Sequence, residues 1–336
     1  MASRVMKRFA LLGAGFIGGV HARSLAAHPG VSFDLVADAD QARARKIAER
    51  HGARPASVDT VFDADVDAIL IASSTNTHAE FMERAAAAGK AIFCEKPIDL
   101  DAERARDACA AVETAGVPFM IGFNRRFDAS HMAVKQAVAQ GEVGKVEIVQ
   151  LTSRGPDAPP IAYVKVSGGQ MRDQTIHFFD LLRWLVEDEP VEVYAVGAAL
   201  VNPAIGEAGD VDTSLVTLRM RSGALCQIDC SRRTAYGYDE RVEVFGSAGA
   251  AESRRQRYRS MSLYQGTKVI EDGLHAGWFE RVEATYLAAL DAFVRHLNGE
   301  EVDLPSLDDG LKAQIIADAA TRSLQTGQPI RIEYEL

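Results

Sequence analysis

Residues 11–19 read LLGAGFIGG. They end an aliphatic run, RFALL (8–12), and open an amphipathic stretch, IGGVHARSLAAH (17–28), which Pro29 and Gly30 stop. An aliphatic strand, then Gly13, Gly15 and Gly18 in G-x-G-x-x-G spacing, then a helix is the order of the first βα turn of a doubly wound sheet. Gly13 permits the tight turn, Gly15 lets an anion approach the main chain, and Gly18 lets the helix pack closely on the strand. The free N–H groups of the helix start favour a pyrophosphate. Asp38 closes the next aliphatic run, FDLVA (33–37), about 20 residues on, where a carboxylate accepts hydrogen bonds from ribose hydroxyls. A 2′-phosphate beside that carboxylate is repelled, so NAD is the expected cofactor, although Arg43 leaves NADP open.

Working outward, DAILIA (67–72), AIFCE (91–95) and PFMIG (118–122) read as further strands, with helices at about 77–88 and 101–115 between them. They are nearly all apolar, as strands are when both faces of a parallel sheet are covered. After GFNRRFD (122–128) the texture changes. KVEIVQLTSR (145–154), VEVYAVGAAL (191–200), DTSLVTLRM (212–220), ALCQIDCSRR (224–233) and RVEVFGSAG (241–249) mostly alternate in polarity. The expected fold is therefore α/β: an N-terminal Rossmann dinucleotide-binding domain over 1–122, then a C-terminal α+β domain over 123–336 with a large, mainly antiparallel open sheet. Helices near 279–298 and 308–325 close the second domain, and the charged stretch ESRRQRYRS (252–260) is expected to be a solvated hairpin.

The helix MRDQTIHFFDLLRWL (171–185) interrupts that sheet. At 100° per residue Phe178, Leu181, Leu182 and Leu185 form an apolar stripe, and Asp173, His177, Asp180 and Trp184 form a second stripe at its border. A carboxylate and an imidazole four residues apart are either a solvated i,i+4 pair or a working pair.

Composition narrows the function. A net charge of -10 argues against a surface that tracks nucleic-acid phosphates and favours small soluble ligands. Four scattered cysteines suit a reducing compartment, and Cys226 with Cys230, sharing a strand face without further ligands, suit packing rather than a metal; no metal is expected. The apolar run in MASRVMKRFALLGAG (1–15) is too short for a secretory or membrane segment, so a cytoplasmic protein without a membrane partner is expected.

Two loops fall at the carboxyl ends of the parallel strands, where dinucleotide chemistry takes place: SSTNTH (73–78) and CEKPI (94–98). Together with GAGFIG, GFNRRFD and SGGQMRDQTIH, in order along nearly the whole chain, they resemble the Gfo/Idh/MocA family of nicotinamide-dependent oxidoreductases. One departure is Ser74, where the family often has the proline of TP-x-x-x-H. The resemblance implies that Lys96, Asp173 and His177 are catalytic. It implies a cofactor, NAD, held by Gly13, Gly15, Phe16, Ile17, Gly18, Asp38, Ser73, Ser74, Asn76, His78, Glu95 and Lys96. It further implies a polyol substrate met by Lys96, Asp173 and His177 together with Arg126, Asp157 and Tyr236, and a homo-oligomer, dimer or tetramer.

The implied activity is oxidation of a cyclitol secondary alcohol, myo-inositol to scyllo-inosose foremost. An imidazole titrating near ~6.5 suits proton abstraction by His177, with Asp173 orienting it and the Lys96 cation stabilising the developing alkoxide. Another cyclitol or sugar, a glycosidase that uses NAD transiently, and a non-catalytic nucleotide-binding regulator are the alternatives. GPDAPPIAYVKVSGG (155–169) carries the proline and glycine of an ordered loop over a pocket.

Overall fold

A computed structural model describes residues 5–334. By internal contacts the chain forms two compact units, one of residues up to Phe127 with Ala284–Lys312, the other of Asp128–Glu283 with the residues from Ala313 onward.

The first unit is built on six strands: β1 (Lys7–Leu12), β2 (Val31–Ala37), β3 (Arg54–Ala56), β4 (Ala68–Ile71), β5 (Ala91–Cys94) and β6 (Phe119–Ile121). They pair in parallel in the order β3-β2-β1-β4-β5-β6, which reverses direction between β1 and β4. This is the expected doubly wound sheet, with β3 as an addition. Its sequence, RPA, carries a proline and no aliphatic run, which only an edge strand accommodates. Helices α1 (Phe16–Ala27), α2 (Gln41–His51), α3 (Val58–Asp63), α4 (His78–Ala87) and α5 (Ala102–Ala115) connect the strands. The side chains of Asp40 and Asp101 cap α2 and α5, and Gly52 and Gly116 end those helices in the left-handed conformation.

The second unit opens with α6 (Ala129–Ala139) and contains β7 (Val146–Arg154), α7 (Ile161–Val164), α8 (Ile176–Val186), β8 (Pro190–Ala198), α9 (Pro203–Glu207), β9 (Thr213–Met220), β10 (Leu225–Ser231), β11 (Asp239–Gly246) and β12 (Gly249–Ser253). A small hairpin, β13 (Ser262–Gln265) with β14 (Lys268–Glu271), follows. After it come α10 (Trp278–Leu297), α11 (Leu307–Thr326) and β15 (Ile330–Arg331). The large sheet runs β12-β11-β7-β10-β9-β8-β15, and every pairing is antiparallel except β7 with β10. One face packs Val134, Phe178, Leu181, Leu185, Ile316 and Ala320 from α6, α8 and α11. The other presents Ile148, Tyr194, Leu215, Leu225 and Phe245 exposed.

Three expectations need correction. The single cut after residue 122 does not describe the units, because residues 284–312 return to the first one. There Phe293 meets Phe9 and Phe93 edge-on, with ring centroids 6.3 and 5.8 Å away. An apolar stripe on α10 announces burial but not the sheet that receives it. The hairpin expected at 252–260 lies instead at 262–271, and Arg254–Ser260 lead into it. Asp180, placed by periodicity on a solvated border, is fully buried. Most of α8 is covered on both sides of its apolar stripe, Phe179, Asp180 and Arg183 included, while a π turn over Met171–Thr175 shifts the phase of Asp173 relative to that helix.

Candidate functional site

The turn between β1 and α1 is shaped by what its glycines lack. Gly13 has φ +105°, and a Cβ there would stand 2.3 Å from the Ala72 carbonyl oxygen. A Cβ on Gly18 would stand 2.1 Å from the Gly13 carbonyl oxygen, so both positions are closed to side chains by the main chain itself. Gly15 differs: nothing lies within 4 Å of its would-be Cβ. It is the N-cap of α1, has no side-chain capping bond, and is followed by no acidic residue in the first turn. Open N–H groups beside open space suit a pyrophosphate. The two Asp38 oxygens accept from the Ala14 N–H at 2.7 Å and the Asp40 N–H at 2.8 Å, which ties the carboxylate to the same turn while leaving lone pairs for ribose hydroxyls. The residues present therefore fit a dinucleotide. A cleft of about 470 Å³ opens beside Ala14, Gly15 and Phe16, bordered by Arg23, Arg43, Lys46 and Arg50. Burial, then the charges of Arg50 and Arg23, lower the His51 pKa at its edge.

After β4, Ser74 and Asn76 are exposed in a 3₁₀ turn, while Ser73 shares a 2.7 Å hydroxyl bond with Thr77. His78 is buried, its ring nitrogens 2.8 Å from the Pro97 carbonyl and 3.1 Å from the Ser73 carbonyl. It staples the loop after β4 to the loop after β5; burial outweighs the two carbonyls and keeps its pKa below the ordinary value. Glu95 likewise turns inward. Its Oε1 is 2.7 Å from Nε2 of the fully buried His21 on α1, and its Oε2 accepts the Lys96 N–H at 3.3 Å. Burial works to raise the Glu95 carboxyl, but the hydrogen bond and charge of His21, then Lys96 and His78, hold it below the carboxylate range. His78 and Glu95 thus shape the two loops from within. Lys96 is half-buried beside them. His21, which holds Glu95 in place, is a residue that sequence reasoning passed over; a histidine inside an otherwise apolar helix face was its only signal.

In the second unit, Asp173 lies in the π turn and His177, half-buried, in the first turn of α8. The Asp173 N–H donates to the Gly169 carbonyl at 3.0 Å, and its Oδ1 accepts the Tyr163 hydroxyl at 2.8 Å. Its Oδ2 is 3.2 Å from Nη2 of Arg232, a buried cation from the end of β10. Asp157 is exposed in the loop before α7. The Tyr236 hydroxyl donates to Asp239 at 2.9 Å and accepts from Arg154 at 3.3 Å, so the phenol is fixed at the ends of β7 and β11. In the first unit, Arg126 is 6% exposed, and its guanidinium pairs with Asp309 at 2.9 Å. A substrate that met Arg126 would share it with that carboxylate. Among the described residues no group of three or more His, Cys, Asp or Glu could hold a metal ion.

Residues 7–123 match the model of an oxidoreductase family with an NAD-binding Rossmann fold, GFO_IDH_MocA, and residues 131–252 match the GFO/IDH/MocA C-terminal domain. The chain is 45% identical over 326 residues, 97% of its length and 99% of the relative's, to inositol 2-dehydrogenase of Rhizobium meliloti. Among solved structures, it superposes with a TM-score of 0.92 on a myo-inositol dehydrogenase from Corynebacterium glutamicum at 37% identity, covering 98% of this chain and 99% of that one. With a TM-score of 0.90 it superposes on a scyllo-inositol dehydrogenase from Lactobacillus casei, solved with NAD(H) and scyllo-inositol, at 26% identity over 97% and 99% of the two chains.

Proposed function

We propose that this chain, which belongs to the Gfo/Idh/MocA family of NAD-binding oxidoreductases, oxidises one secondary hydroxyl of a cyclitol, taking myo-inositol to scyllo-inosose. The observation that carries the reading is the open cradle at Gly15 with Asp38 beside it, on a chain whose full-length relatives are named for inositol oxidation.

Bound NAD supplies the hydride acceptor. The N–H groups at the start of α1 hold its pyrophosphate and Asp38 its adenosine ribose, with the 73–78 and 95–98 loops bordering the reacting end. His177 takes the hydroxyl proton as hydride leaves the carbon, and later releases that proton to water. Asp173 orients the imidazole and stabilises the imidazolium. Lys96 stabilises the negative charge that develops on the same oxygen. Asp157, Tyr236 and Arg126 meet the remaining hydroxyls of the ring.

The protein works in the cytoplasm as a homo-oligomer. Its four cysteines are buried thiols, which suits a reducing compartment, and the exposed apolar residues of the large sheet suit a second copy. Among the described residues no helix is long and apolar enough to cross a membrane.

A panel of inositols, aldoses and glycosides with NAD or NADP, read by absorbance of the reduced nicotinamide, tests the assignment. Turnover of myo-inositol with NAD is expected. Failure of every cyclitol to reduce the cofactor, or glycoside cleavage without net reduction, would overturn it. Light scattering on the purified protein reads the assembly, and a monomer at micromolar concentration would refute the oligomer.

A further inference from the structure

Behind Asp173 sits a cation for which the reaction as described has no task. Arg232 is 4% exposed, and its Nη2 lies 3.2 Å from Asp173 Oδ2 and 3.9 Å from Asp210 Oδ2. A guanidinium does not shed its proton, so burying it requires compensating carboxylates. Both are held in place. Asp210 Oδ1 accepts the Gln170 N–H at 2.9 Å, at the entrance to the π turn, and a Cβ on Gly169 would come within 3.0 Å of that oxygen. The Arg232 N–H donates to the Asp212 carbonyl at 2.8 Å, and the Asp212 carboxylate gathers the N–H groups of Leu200, Val201 and Asn202, each at 2.9 Å. The loop between β8 and β9, the end of β10 and the π turn are thereby locked around one guanidinium.

We propose that Arg232 is a positioning residue, balanced by Asp210, that fixes the Asp173 carboxylate and sets the electrostatic potential under which His177 exchanges its proton. The inference rests on the reading of Asp173 and His177 given above. Asp173 faces Arg232 from the end of β10 and Tyr163 from α7, Arg232 in turn faces Asp210 from the loop before β9, and His177 follows Asp173 by four residues on α8. Its neighbour Arg172 is engaged with Asp318 on α11 at 2.6 Å.

The sign of the effect follows from the charges. A cation near a base makes the protonated base less favourable, and an anion does the reverse. Activity rises along the acid limb of the pH–rate profile as the base loses its proton. In Arg232→Gln that limb moves to higher pH, by on the order of one unit, because the cation is gone. In Asp210→Asn it moves to lower pH, because the cation is less balanced. Arg232→Lys keeps the limb in place and recovers part of the turnover. Displacement of Asp173 by about 1 Å in Arg232→Gln also lowers kcat on the order of 10²-fold.

The experiment is the pH dependence of NAD reduction with myo-inositol for these three variants and His177→Ala, with thermal melts for each. Opposite limb shifts in Arg232→Gln and Asp210→Asn are the expected result. A slower enzyme with an unmoved limb in both would reduce Arg232 to a packing ion pair and overturn the inference. Should Arg232→Gln not fold, the direction in Asp210→Asn decides alone. Full turnover by His177→Ala would instead overturn the reading of the site, and the inference with it.

Discussion

The turn into α1 and the turn into α8 both begin a helix without a side-chain cap, and they are built by opposite means. The first is shaped by absent side chains: Gly13 and Gly18 let main chain touch main chain, and Gly15 leaves open space at the start of the helix. The second is built by side chains, most of whose partners lie far along the sequence. Arg172 pairs with Asp318, Asp173 with Arg232 and Tyr163, and Gln174 donates to the Ser153 and Ser231 carbonyls at 3.0 and 3.4 Å. A site made of backbone is written within a few consecutive residues. A site made of side chains is written across a whole domain.

The contrast can be broken most directly at the second turn. His177→Ala lowers turnover by about 10²- to 10⁴-fold while NAD affinity, read by nucleotide fluorescence titration, stays within twofold. Comparable losses in both quantities would mean that the two turns are not separable. Next in size is the buried pair Asp128–Arg281, 2.5 Å apart in the second unit. Asp128→Asn destabilises the protein by about 3–5 kcal/mol in urea melts at neutral pH, since the buried Arg281 loses its close carboxylate and is left with the more distant Glu240, 3.9 Å away. Burial works to raise the Asp128 carboxyl, but His131 and the charge and hydrogen bond of Arg281 hold it below its ordinary 3.8. A depressed carboxyl stabilises above its unfolded value and loses that contribution as pH falls through its folded one, so the gap between wild type and Asp128→Asn closes in acid, below 3.8. A gap that widened there would refute the assignment.

Smaller effects sharpen the backbone side. Gly13→Ala sets a methyl against the Ala72 carbonyl at a positive φ and costs about 1–3 kcal/mol in the same melts. Gly15→Ala, with open space around it, leaves the melt unchanged and weakens NAD binding by about tenfold, or about 1.4 kcal/mol. If Gly15→Ala destabilised as much as Gly13→Ala, the cradle would be a packing feature and nothing more. Smallest is Tyr163→Phe, which removes one hydrogen bond to Asp173 and lowers kcat about fivefold, the equivalent of about 1 kcal/mol.

The β1 turn was legible because glycine spacing, strand polarity and the position of Asp38 are local properties that periodicity and main-chain sterics dictate. The same logic read the alternating strands of the second sheet, and the motifs EKP and D-x-x-x-H marked Lys96, Asp173 and His177 as candidates. His21 beneath Glu95 and Arg232 beneath Asp173 carried no motif, since each is defined by a partner that folding brings up: 74 residues away for His21, and a separate strand for Arg232. The return of residues 284–312 to the first unit was equally hidden, because an apolar stripe states that a helix is buried and is silent about where.

The sequence alone therefore determined the two sheet types and the glycine turn, since these follow from main-chain sterics and from the period of polarity along the chain, and its motifs named the candidates for the reactive side chains. Tertiary structure decided the burial of Asp180, the π turn that carries Asp173 and the ions that balance it, because burial and electrostatic compensation depend on distances in space that no interval along the chain encodes.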